Sequence, residues 1–322
     1  MKKYLLFTFL PILFLFSCNQ EEAEPTISAE AEAYLDEILD IMQRNSINRK
    51  NIDWADFSNK VFEKAGAAQS IDDTYIGIRE ALTLLDDNHS FFRQPNGRTF
   101  SAFNATGCQA GSNSTPAIPE NIGYVKVNWF SGATNDDKAI AFAQEIQDQI
   151  KAEDQADLQG WIVDLRGNTG GNMWPMLAGI GPILGEGIAG YFIDPDDRQS
   201  YWGYSFGGSF INSFRQTTLT NFYELMNADP KVAVLLDQAV ASSGEAVAIA
   251  FIDRANTRSF GTSTCGLSTA NSSFNLSNSA TLYLTVSYMA DRNKKLYGIP
   301  IEPAEEVNSE DVVEKAIDWI NQ

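Results

Sequence analysis

Apolar positions recur at helical spacing through the first quarter of the chain, then give way to short apolar strands set between helices. Residues 28 to about 87 read as three helices. Ser28 can cap the first, whose stripe is Tyr34, Leu35, Ile38, Leu39, Ile41 and Met42. The second follows Asp53 with Trp54, Phe57, Val61 and Phe62. Ser70-Ile-Asp-Asp73 has the form of a capping box for the third, with Tyr75, Ile78, Leu82 and Leu85 on one face.

Residues 94–120 are rich in Gly, Ser, Thr, Asn and Pro and read as one long loop. Ile122–Val127 then alternates as a strand, and a helix capped within Thr134-Asn-Asp-Asp137 carries Ala139, Phe142, Ala143, Ile146 and Ile150. Trp161 to Val163 form a buried strand that runs into Asp164-Leu-Arg-Gly-Asn-Thr-Gly-Gly171, with a helix expected around 173–184. Val232–Leu236 is a further apolar strand. Ala241–Phe251 is apolar nearly all round, as a buried helix is. Thr281–Tyr288 alternates as a late strand, and Ser309 can cap a last helix. Strands alternating with helices behind an all-helical N-terminal piece make an α/β fold.

The extreme N-terminus stands apart from this pattern. Lys2 and Lys3 precede an apolar run, Tyr4 to Phe16, that is short for a membrane span and ends Leu-Phe-Ser-Cys18. It resembles a bacterial lipoprotein signal with Cys18 as the lipidated first mature residue, and an acidic tether follows. The expected divisions are a signal peptide at 1–17, a tether at 18–27, a helical region at 28–92 and a catalytic core at 93–322. The expected location is the bacterial cell envelope, anchored to the membrane and facing the periplasm or the exterior.

Charge narrows the partners. A formal net charge of −19 disfavours nucleic acid and anionic surfaces, which select basic patches. In an export compartment the other two cysteines, Cys108 and Cys265, can pair or stay free thiols.

The chemistry gathers in three segments. The glycine loop at 167–171 lacks the Gly-Lys-Ser/Thr of a phosphate loop and the spacing of a dinucleotide fingerprint, so it reads as an anion hole for other chemistry. Val240-Ala-Ser-Ser-Gly-Glu-Ala246 sets a serine at a helix N-terminus, where free N–H groups and the helix dipole favour a developing oxyanion; a plain N-cap is the competing reading. His89 is the only histidine in the chain, so an imidazole base for that serine must be this one, within about 3 Å.

Asp164-Leu-Arg-Gly-Asn-Thr-Gly-Gly171, Ala-Ser242-Ser-Gly-Glu245, Leu-Asp-Asp-Asn-His89-Ser and Tyr297-Gly-Ile-Pro-Ile-Glu-Pro303 together resemble the motifs of the C-terminal-processing (tail-specific) serine peptidases of family 41. The resemblance spans roughly residues 28–322. It implies a crotonase/ClpP-like αββ core with a helical N-terminal region. It also implies Ser242 as nucleophile, and an oxyanion hole from the Ser243 N–H with that of Gly170 or Gly171. Peptides or protein C-terminal tails are the implied substrates; no metal and no organic cofactor is implied.

Two departures shape the expectation. About thirty residues separate His89 from Ile122, too few for the PDZ domain many members carry. Leu267 stands where most members have a lysine base, twenty-five positions after Ser242. The chain therefore resembles the PDZ-less, histidine-using branch with the tricorn core and nisin-resistance protein, in which His89 would be base and then acid. Glu245 would orient the substrate or the helix end, and Asp164 with Arg166 would form a supporting ion pair. Asp87, Ser90 and Glu302 are candidates for a third group that orients the imidazole. A pH–rate rise near neutrality is expected, lost in His89→Gln.

Two other functions compete. A non-catalytic peptide- or ligand-binding protein can use the same fold. An α/β-hydrolase esterase would need Gly-x-Ser-x-Gly, and Val240 stands where its first glycine belongs.

Overall fold

The structure, a computed structural model, describes residues 26–322 except 106, 110, 112, 113, 115 and 116. The expected signal peptide, the lipidation site Cys18 and nearly all of the tether lie outside the described residues. Among the described residues no helix is long and apolar enough to cross a membrane.

The first helices form on the caps their sequences carry. α1 (Ala29–Asn45) starts at Ser28, whose Oγ accepts from Ala31 N–H, and α2 (Trp54–Ala65) at Asp53, which accepts from Ala55 and Asp56. Ser70 Oγ donates to Asp73 at 2.8 Å, but this pair opens a single 3₁₀ turn that leads into α3 (Tyr75–Leu85). β1 (Phe91–Arg93) and β2 (Thr99–Ser101) pair antiparallel, so a hairpin occupies the start of the expected 94–120 loop.

The chain continues through β3 (Ile122–Lys126), α4 (Asp137–Glu153), β4 (Gly160–Asp164) and α5 (Met173–Leu184). Four antiparallel strands that the apolar pattern does not announce come next: β5 (Gly187–Ile193), β6 (Gln199–Ser205), β7 (Gly208–Ile211) and β8 (Phe214–Thr218). Then follow β9 (Lys231–Leu236), α6 (Ser243–Phe251), β10 (Thr257–Gly261), β11 (Thr269–Asn275), β12 (Thr281–Ala290), β13 (Glu305–Glu306) and α7 (Val312–Ile320). Ser309 does not cap this last helix. Asn308 turns the chain instead, its Oδ1 accepting from the Glu310 and Asp311 N–H groups, and α7 starts after Asp311.

β13-β10-β9-β4-β3 form a five-stranded parallel sheet. Its central strands are apolar on both faces because both are covered. Trp161, Val163, Val232, Val234 and Leu236 face α4, α5 and α6, while Ile162, Ala233 and Leu235 face α7. The second, antiparallel sheet runs β2-β1-β12-β5-β6-β7-β8, with β11 also on β12. One face of it meets α5 and α6 through Trp202, Tyr204 and Met289; Phe92, Leu282 and Leu284 pack with α1 to α3. α6 lies between the two sheets, which is why it is apolar all round. The result is a mixed α/β fold in which the loops after β4, β9 and β10 emerge at the carboxyl ends of neighbouring parallel strands, where open α/β sheets place ligand crevices.

Candidate active site

Ser242 sits in a strained turn between β9 and α6. Its φ of 53° and ψ of −116° are those of the first central residue of a type II′ turn, a position that favours glycine. The Gly244 N–H closes that turn on the Ala241 carbonyl at 2.8 Å, and Ala241 N–H is held by the Asn168 carbonyl at 3.0 Å. Ser242 N–H donates to Glu245 Oε2 at 2.9 Å. A non-glycine residue in such a conformation costs roughly 1–3 kcal/mol and persists only where its surroundings hold it.

His89 reaches this serine from the other sheet. Asp86 ends α3 in the left-handed conformation, and Asp87 then accepts from the N–H groups of His89 and Ser90 at 3.0 and 2.7 Å. The tight turn brings the imidazole inward. Nε2 lies 3.0 Å from Ser242 Oγ and Nδ1 lies 2.8 Å from Thr269 Oγ1. If the serine donates to Nε2, Nδ1 carries the proton and donates to the threonine.

The ring partner differs from every candidate the sequence offered. Asp87 Oδ2 accepts from Ser90 Oγ at 2.6 Å, and Glu302 accepts from Ser263 Oγ at 2.6 Å; the ring nitrogens are hydrogen-bonded to Ser242 and Thr269 instead. Thr269 opens β11, 180 residues from His89, and a neutral β-branched residue there carries no signal beyond strand preference. Burial, with no carboxylate on the ring, lowers the His89 pKa to about 4. An imidazole so buried stays neutral down to acid pH instead of titrating near neutrality.

The glycine loop is fixed by a buried ion pair. Arg166 Nε and Nη2 donate to the two oxygens of Asp164 at 2.9 and 2.7 Å, and Tyr124 Oη donates to Asp164 at 2.9 Å. Gly170 and Gly171 both have positive φ, 98° and 110°. A Cβ on Gly170 would stand 2.9 Å from Ser242 Cβ, and one on Gly171 only 2.0 Å from the Phe130 carbonyl oxygen.

The two glycine N–H groups have different surroundings. Gly170 N–H donates to Asn168 Oδ1 at 3.0 Å. The Gly170 carbonyl accepts from Phe130 N–H at 3.3 Å, so across a trans peptide the Gly171 N–H points the opposite way. Ser243 Oγ donates to the Gly171 carbonyl at 2.8 Å, tying the loop to the start of α6.

Glu245 is fully buried and faces protein, not a crevice. Oε2 holds Ser242 N–H, while Oε1 accepts from Gly266 N–H at 2.9 Å and from the Thr264 hydroxyl. Burial raises its pKa to about 7. Cys265, between Thr264 and Gly266, donates its N–H to the Val240 carbonyl at 2.9 Å and is disulfide-bonded to Cys108. The loop after β10 is thus bound to the serine turn on both sides.

The sequence profile of Peptidase family S41 matches residues 121–307. Nisin-resistance protein of Lactococcus lactis subsp. lactis is 26% identical over 273 residues, covering 83% of this chain and 80% of that protein. The structure of a lipoprotein from Streptococcus agalactiae superposes with a TM-score of 0.70 at 20% identity, covering 92% of this chain and 97% of that one. A photosystem II D1 C-terminal processing protease superposes with a TM-score of 0.57 at 14% identity, covering 92% and 98%. These two likenesses are likenesses of fold.

Proposed function

The chain belongs to peptidase family S41, a family of serine peptidases, and on that premise we propose an exported, lipid-anchored serine endopeptidase that cleaves peptides or protein C-terminal tails. The observation that carries this reading is the 3.0 Å separation of Ser242 Oγ and His89 Nε2. At that distance a neutral imidazole can take the serine proton as Oγ attacks the scissile carbonyl, then return it to the leaving amine. The depressed pKa keeps His89 neutral at physiological pH. Thr269 fixes the tautomer, with no carboxylate to stabilise the imidazolium.

The tetrahedral oxyanion would be received by the N–H groups of Gly171 and Ser243. Gly170 is the weaker choice because its N–H is already held by Asn168. Glu245 positions the nucleophile by holding Ser242 N–H, and Asp164 with Arg166 anchors the glycine loop. A Ser–Lys dyad is not available at position 267, where leucine stands, so the histidine-using, PDZ-less branch with nisin-resistance protein is the reading adopted.

The same reading carries the domain plan: a signal peptide at 1–17, a tether at 18–27, a helical region at 28–92 and a crotonase/ClpP-like αββ core at 93–322. Lipidation of Cys18 would hold the enzyme at the bacterial envelope. Turnover of a quenched peptide library by wild type and by Ser242→Ala tests the activity; loss of several orders of magnitude is expected, and survival of cleavage would refute the assignment.

A further inference from the structure

β11 makes a second contact with His89, two residues beyond Thr269. Asn271 Nδ2 donates to the His89 carbonyl at 2.9 Å. Residues two apart on a strand share a face, so one strand holds the imidazole at its ring and at its backbone.

The pairing of β11 with β12 makes this possible. Thr269 pairs with Tyr288 and Ala270 with Ser287, so unbroken register would set Asn271 opposite Val286. A bulge intervenes, and Asn271 stands opposite Thr285. The Thr285 hydroxyl donates to Asn271 Oδ1 at 2.8 Å, a bond valine could not make. A carbonyl only accepts, so the amide nitrogen must face His89 and the amide oxygen Thr285. The amide is fixed from both ends.

Thr285 is fully buried, and its backbone is committed as well. Its N–H donates to Ser90 Oγ at 2.9 Å, Ser90 Oγ donates to Asp87 Oδ2 at 2.6 Å, and its carbonyl accepts from Ile47 N–H at 2.8 Å. The turn that carries His89 is thus gripped on both sides. It needs the grip: Asp86 and Asn88 have φ of 53° and 54°, a left-handed conformation that persists in non-glycine residues where the surroundings fix it.

We propose that Asn271 is a positioning residue of the reaction, which sets the imidazole against Ser242 through the His89 carbonyl, its own amide being fixed for that task by the Thr285 hydroxyl. The proposal rests on the serine-peptidase reading. Asn271→Leu removes both bonds at similar size, and the isosteric Thr285→Val removes only the hydroxyl. On a peptide substrate kcat should fall about tenfold in Asn271→Leu and about threefold in Thr285→Val, with KM within about twofold of wild type. The two bonds act in series, so the double variant should lose no more than Asn271→Leu alone.

His89 is the only histidine in the chain, so isotopic labelling of histidine followed by NMR reports this one ring, with or without turnover. Wild type should show one tautomer, protonated on Nδ1, and the variants a mixture, while thermal melting stays cooperative. Should Asn271→Leu fail to fold, Thr285→Val carries the same two readouts. Unchanged kcat in the folded variants, a loss confined to KM, or a His89 spectrum identical to wild type overturns the positioning role. Wild type without turnover would sink the peptidase reading instead, and the tautomer comparison would still decide whether Asn271 sets the ring.

Discussion

His89 Nδ1 lies 2.8 Å from Thr269 Oγ1, so the imidazole beside Ser242 is braced by a hydroxyl rather than a carboxylate. A hydroxyl can fix the tautomer and ring angle, but it adds no negative charge to stabilise the imidazolium. Thr269→Ala should lower kcat about tenfold with little change in KM, as expected for lost orientation. Thr269→Asp should move the acid limb of the pH–rate profile upward by about one to two pH units. A profile unmoved by Thr269→Asp would remove Thr269 from the site.

The wild-type limb itself is the second prediction. His89 must be neutral to accept a proton, and its pKa is lowered to about 4. kcat/KM should therefore rise with pH through about 4 and be lost in His89→Gln. A limb between roughly 6 and 7 that follows His89, the range of an unperturbed imidazole, would contradict the burial argument.

Glu245 gives a stability prediction of opposite sign. Its folded pKa, about 7, lies above the ordinary value of 4.5, so the folded state holds the extra proton between them. The stabilisation is full below about 4.5 and is lost as pH rises through 7. The stability difference between wild type and Glu245→Gln, followed by thermal melting across that window, should fall as pH rises. A difference independent of pH would show that Glu245 does not titrate there.

Ser242 occupies a glycine-favouring conformation, and the strain is separable from the chemistry. Ser242→Gly should be more stable than Ser242→Ala by about 1 kcal/mol, both lacking activity. Equal stabilities in chemical denaturation would mean the turn relaxes.

How much of this was legible depended on the kind of signal. The parallel strands at 161–163 and 232–236 declare themselves because both faces are buried. Ser28 and Asp53 declare their helices because a cap leaves a residue type at a fixed place. β6 and β7 do not, since Gln199–Ser205 and Gly208–Ile211 mix glycine and polar residues in strands stabilised by their pairing partners. Ser242 and His89 could be named from their motifs, but Thr269 could not: a neutral hydroxyl has meaning only once folding brings it to the ring. The disulfide was open for the same reason, because two cysteines 157 residues apart say nothing of their distance in space.

The central claim is that Ser242 is a nucleophile activated by His89. Fluorophosphonate labelling followed by peptide mapping of wild type, Ser242→Ala and His89→Gln tests it most directly. A single label on Ser242 is expected in wild type, none in Ser242→Ala, and labelling slowed about a thousandfold or more in His89→Gln. Labelling that persists in Ser242→Ala, or is as fast in His89→Gln as in wild type, would contradict it.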